Sequence, residues 1–89
     1  MGDGYGEALT LWGRARSLAR QTAPDWNTLL ADLDRAAELF QSMEARPSLA
    51  RALHDRSKAL RALGRADEAA DTEHRSNDLA RELGLRDLL

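Results

Sequence analysis

The chain repeats itself at a spacing of forty residues, and this constrains its fold more than any other feature. Leu39-Phe40-Gln41-Ser42-Met43-Glu44-Ala45-Arg46-Pro47-Ser48-Leu49 is shadowed by Leu79-Ala80-Arg81-Glu82-Leu83-Gly84-Leu85-Arg86-Asp87-Leu88-Leu89. The same offset pairs Leu9 with Leu49, Arg16-Ser17 with Arg56-Ser57, Ala19 with Ala59 and Arg35 with Arg75. Self-similarity at this period marks stacked supersecondary units, each unable to bury its apolar face alone. Such an array binds other molecules along its surface; the echo leaves open which ones.

The spacing of apolar residues says what each unit is made of. Trp26, Leu29, Leu30, Leu33, Ala36, Ala37, Phe40 and Met43 keep the i, i+3, i+4, i+7 pattern and predict a helix from about residue 25 to 45. Tyr5 to Gln21 reads as a first helix with two apolar stripes, one through Leu9, Trp12 and Ala19, the other through Leu11, Ala15 and Leu18. Thr22 and Asp25 have the spacing of a capping box, with Pro24 in the first turn. Pro47 pushes Arg46 out of the helical region and leaves Ser48 as the N-cap of a third helix ending near Leu63, before Gly64. A fourth helix is expected from Ala66 to Leu83, with Gly84 as its cap. Its apolar stripe of Ala66, Ala69, Ala70, Leu79, Ala80 and Leu83 is broken by Thr72, Glu73, Ser76 and Asn77. That break reads as an exposed surface, or as a polar contact of Glu73 with Arg56.

The expected fold is therefore all-α: four antiparallel helices forming two hairpins. Residues 1–6 read as a disordered leader, 7–46 as the first hairpin, and 47–89 as the second with a C-terminal extension. Eighty-nine residues suffice for one small core. A composition 43% apolar and 31% charged argues against a disordered chain, and no apolar run reaches the length of a membrane span. With no cysteine there is neither a disulfide nor a thiolate metal site, and no basic, apolar leader marks export; a cytoplasmic location is expected. The net charge of −2 gives no general attraction to nucleic acid or anionic lipid, although residues 45–89 are locally basic.

Residues 53–69, Leu53-His54-Asp55-Arg56-Ser57-Lys58-Ala59-Leu60-Arg61-Ala62-Leu63-Gly64-Arg65-Ala66-Asp67-Glu68-Ala69, resemble a tetratricopeptide repeat. Leu53, Ser57, Leu60, Leu63, Gly64 and Ala69 fill that family's places for bulky and small residues around a tight helical turn. The forty-residue spacing looks like the degenerate repeats of large bacterial ATP-dependent transcriptional regulators. Glu73 departs from the pattern, standing where an apolar anchor belongs. For the first helix, offsets of 40 and 41 are both open, the latter pairing Trp12 with Leu53.

The resemblance implies a non-catalytic protein–protein interaction module of a larger bacterial regulatory protein, with the first helix of each repeat lining a groove. Arg51, His54, Lys58 and Arg61, spaced 3, 4 and 3 apart, would then face a ligand such as an acidic peptide or helix, with Arg14 extending the row. The competing reading is a solvated face, salt-bridged locally through Asp55. A second possibility is homotypic assembly, as a homodimer, through Leu11, Leu18, Leu85, Leu88 and Leu89. Trp12 and Trp26 read as core anchors. No cofactor is expected. The two histidines, His54 and His74, lack the helical pairing of a metal site, and no nucleophile elbow or phosphate loop is present.

Overall fold

The computed structural model describes residues 4–88. They form α1 (Gly4–Ala19), α2 (Trp26–Ser42), α3 (Arg46–Ala62), α4 (Ala66–Leu83) and a 3₁₀ turn (Arg86–Leu88), with no strand among the described residues. The all-α class and the four helices are those that the periodicity predicts.

Three of the four helices stop in the same way, twenty residues apart. The N–H of Ala45 donates to the carbonyl of Phe40 while that of Glu44 donates to Gln41. Arg65 and Gly64 repeat this on Leu60 and Arg61, as do Leu85 and Gly84 on Ala80 and Arg81. This paired closure needs one left-handed residue after the helix. Gly64 and Gly84 supply it at φ 78° and 72°, and Glu44 is forced into it at φ 56°. The echo of Glu44 in Gly84 is thus an echo of backbone geometry.

The helix starts differ from the sequence expectation. Asp25, not Thr22, caps α2: its carboxylate accepts from the Thr28 N–H at 3.2 Å and from the Thr28 hydroxyl at 2.8 Å. α3 begins at Arg46 with Pro47 inside its first turn, where a missing N–H costs nothing. Ser48 is then free of capping, and its hydroxyl meets that of Tyr5 instead. The leader expected over residues 1–6 is already helical from Gly4. Gly4 lies against Met43 and Leu39, and the Tyr5 ring meets Phe40 edge-on at 5.9 Å. Residues 1–3 and Leu89 lie outside the described residues.

Each helix packs chiefly on its neighbours in sequence, and α1 has no extensive contact with α4. A closed four-helix bundle would pack its first helix on its last; this arrangement stays open. One core cluster joins Ala8, Ala36, Ala37, Phe40, Leu49, Ala52 and Leu53. A second joins Ala15, Leu29, Leu30, Leu33, Ala59, Leu60 and Ala69. Trp12 packs against both.

Two registers relate the hairpins. Trp26 and Ala66 begin α2 and α4 forty residues apart, and all four buried residues of α4, Ala69, Thr72, Ser76 and Ala80, match buried Leu29, Asp32, Ala36 and Phe40 at that offset. α1 and α3 follow a longer offset, because six residues join α1 to α2 and only three join α3 to α4. At 42, Ala8, Leu11, Ala15 and Leu18 fall on Ala50, Leu53, Ser57 and Leu60, small on small and bulky on bulky.

The polar break of α4 is not an exposed surface. Thr72 and Ser76 are 4% and 0% exposed and continue the buried stripe. The Ser76 hydroxyl donates to the carbonyl of Ala50 at 3.0 Å, and the Thr72 hydroxyl accepts from Arg56 at 2.7 Å. Small side chains are needed where α3 and α4 approach, and their hydroxyls are satisfied across the same gap. Glu73 pairs with Arg61 rather than Arg56, which is taken by Asp34 and Thr72.

Candidate functional site

α1 and α3 lie side by side without packing tightly. Two hydrogen bonds span the gap: Tyr5 Oη to Ser48 Oγ at 3.3 Å, and Trp12 Nε1 donating to Asp55 Oδ2 at 2.7 Å. Both join residues 43 apart in sequence, so the two helices run parallel. Between them opens a groove of two connected hollows.

The first hollow, of about 220 Å³, is lined by Ala15, Ala19, Trp26, Leu29 and Leu33, with Arg16, Arg20, Asp55 and Lys58 around it. Alanine at 15 and 19 keeps the α1 wall of this hollow low, over α2 leucines that are themselves buried, Leu29 at 2% and Leu33 at 0% exposed. The second, of about 210 Å³, continues past Arg16, Asp55 and Lys58 to Trp12, Arg51, His54, Asp87 and Leu88. Each is smaller than the ~300–1,000 Å³ of a small-molecule pocket, so their size suits individual side chains of a longer ligand.

Cations outnumber carboxylates in the groove. Arg16, Arg20 and Lys58 are exposed and make no ion pair among the described residues. The Arg16 guanidinium lies over the Trp12 ring, 5.2 Å from its centroid, which orders it without neutralising it. The carboxylate facing these cations, Asp55, is bound to the Trp12 indole. Asp55 makes no ion pair among the described residues, so it is not the local salt-bridge partner expected from the sequence. At the far end the chain brings in its own acid: Arg51 Nη1 meets Asp87 Oδ2 at 2.5 Å, and its Nη2 reaches Oδ1 at 3.5 Å. The hydrogen bond from Arg51 holds the Asp87 carboxyl below the ordinary carboxylate range.

The structure divides the expected basic row. Arg51, His54 and Lys58 line the groove. Arg61 ends the stripe tied to Glu73 on α4; this hydrogen bond is the main cause lowering the Glu73 pKa. Arg14 does not extend the row. It turns to α2, where Nε and Nη2 grip the buried Asp32 carboxylate at 2.8 and 2.6 Å. The α1 residues that do face the groove are Trp12 and Arg16, which fall on His54 and Lys58 at the offset of 42. The alternation of small and bulky residues on α1 carried that register, whereas the offset of 40 rested on scattered identities and that of 41 on Trp12 with Leu53. Trp26 and Arg20 also border the groove; Trp26 thus serves as wall as well as anchor.

Of the expected self-association residues, Leu89 lies outside the described residues and the other four are partly covered within the chain. Leu11 and Leu18 are half-buried against the core, Leu85 closes the turn after α4 and is half-buried, and Leu88 lines the groove. Among the described residues, the exposed large apolar side chains are Tyr5, Leu9 and Met43. No group of histidine and acidic residues suited to a metal occurs among the described residues, and no helix there is long and apolar enough to cross a membrane. Comparison with protein-family models, curated proteins and solved structures finds no match to the chain.

Proposed function

We propose that the chain is a non-catalytic, tetratricopeptide-like interaction module that binds an acidic segment of another protein in the α1–α3 groove. The observation that carries this is the charge pattern of that groove. Three cations free of ion pairs, Arg16, Arg20 and Lys58, surround an apolar floor, and the acid among them is held by an indole. The open packing and the three identical turns at twenty-residue spacing support the helical-repeat reading. Its place within a larger bacterial regulator belongs to the same proposal and rests on the resemblance alone.

A labelled peptide of alternating acidic and apolar residues, followed by fluorescence anisotropy, tests the reading. Binding should weaken steeply between 50 and 500 mM salt, because exposed charges are screened over about 4–14 Å in that range. Lys58→Glu should reduce affinity on the order of tenfold through one reversed charge beside the ligand. Salt-independent binding, or none, would overturn the proposal.

A further inference from the structure

The groove already holds a ligand-like segment of this chain. After Gly84 the backbone turns back, and the 3₁₀ turn Arg86–Leu88 lays Asp87 on Arg51 and Leu88 into the second hollow. Nothing in the turn itself requires that docking. The Leu85 and Arg86 N–H groups make the same bonds as Ala45 and Arg46 after α2, so the turn is closed by backbone alone. The Asp87 side chain remains 61% exposed and that of Arg51 35% exposed. Exposed pairs of this kind are weak and yield to competition.

We propose that Asp87-Leu88 is an internal stand-in for the partner, whose recognised element is an acidic residue followed directly by a bulky apolar one. The incoming carboxylate takes Asp87's place on Arg51, and its apolar neighbour takes the place of Leu88 in the second hollow, which Trp12 and His54 also line. The acidic residues that follow then reach Arg16, Lys58 and Arg20 along the groove. This inference rests on the groove reading above and adds the order of residues and the competitor to it.

An internal competitor makes a prediction of unusual sign. Removing it should strengthen binding, because apparent affinity is reduced by the fraction of molecules in which the site is occupied. The probe is a labelled acidic peptide containing one Asp-Leu step, titrated into the full 89-residue chain. Asp87→Asn should tighten binding by about threefold or more. Asp78→Asn, an equal charge change at the exposed Asp78–Arg81 pair of α4, should leave it nearly unchanged. In an Arg51→Ala background the Asp87 substitution should have no effect. Exchanging Asp-Leu for Leu-Asp in the peptide should weaken binding to the parent chain. If the peptide binds with the expected salt dependence but Asp87→Asn and Asp78→Asn behave alike, or peptide order is immaterial, the stand-in is overturned and the groove reading survives. If no acidic peptide binds either chain, both fall.

Discussion

At the residue scale, Glu44 stores a local conflict. The turn after α2 requires a left-handed residue, and an L side chain there costs about 1–2 kcal/mol. Its counterparts Gly64 and Gly84 avoid that cost. Glu44 makes no ion pair among the described residues that would compensate. Glu44→Gly should therefore stabilise the fold, by about 0.5–1 kcal/mol once the greater freedom of glycine in the unfolded chain is deducted. Thermal unfolding followed by circular dichroism should show a midpoint raised by about 2–8 °C. An unchanged or lowered midpoint would mean that Glu44 has an interaction outweighing its backbone. The sequence exposed this site before the structure did, since the echo sets Glu44 against Gly84. It could not expose the pairing of Arg14 with Asp32, because a carboxylate on a polar-looking helix position gives no sign of its burial.

At the scale of the element, α4 shows why an apolar pattern alone misleads. Its buried stripe is Ala69, Thr72, Ser76 and Ala80, all small, two of them hydroxylic. Hydropathy marks the middle of this stripe as exposed, but size is what the position selects. Ser76→Leu, which would mend the apolar pattern, should instead destabilise the chain by about 1–3 kcal/mol by overpacking the α3–α4 contact at Ala50. Ser76→Ala should cost about 1 kcal/mol, the loss of one hydrogen bond that leaves the Ala50 carbonyl to its helical partner. Urea unfolding of the two variants measures both; a Ser76→Leu chain as stable as the parent would show that the contact can open. Helix ends were legible where glycine marked them and illegible where two signals competed, as when Ser48 and Pro47 both offered a start for α3.

At the scale of the whole molecule, stability and binding respond to pH through the same surface carboxylates. Hydrogen bonds from Thr28, Arg65, Arg61 and Arg51 lower the pKa values of Asp25, Glu68, Glu73 and Asp87 from ordinary values of 3.8 for aspartate and 4.5 for glutamate. A carboxyl with a lowered folded pKa releases its proton more readily in the native chain. Its stabilising contribution is complete above the ordinary value and is lost as pH falls through the lower one. The midpoint of thermal unfolding should thus be nearly flat from pH 7 to about 5 and fall below about pH 4, less steeply in high salt. A midpoint that rises on acidification would contradict these pairings. The same titration frees Asp87 from Arg51, so the groove loses its internal occupant in acid.

The fold class was legible because helical periodicity survives even a degenerate repeat. The groove was only half legible: α3 announced its cationic stripe, while α1 hid its own behind a connection three residues longer. The decisive question is whether that groove is where a partner binds. Two-dimensional amide NMR of the labelled chain, titrated with an acidic peptide carrying one Asp-Leu step, tests this most directly. The shifts should concentrate on Trp12, Arg16, Arg51, His54 and Lys58, include the Trp12 indole N–H now held by Asp55, and fade as salt is added. Shifts confined to the opposite face, around Asp34, Glu38, Arg56 and Arg75, or no shifts at all, would contradict it.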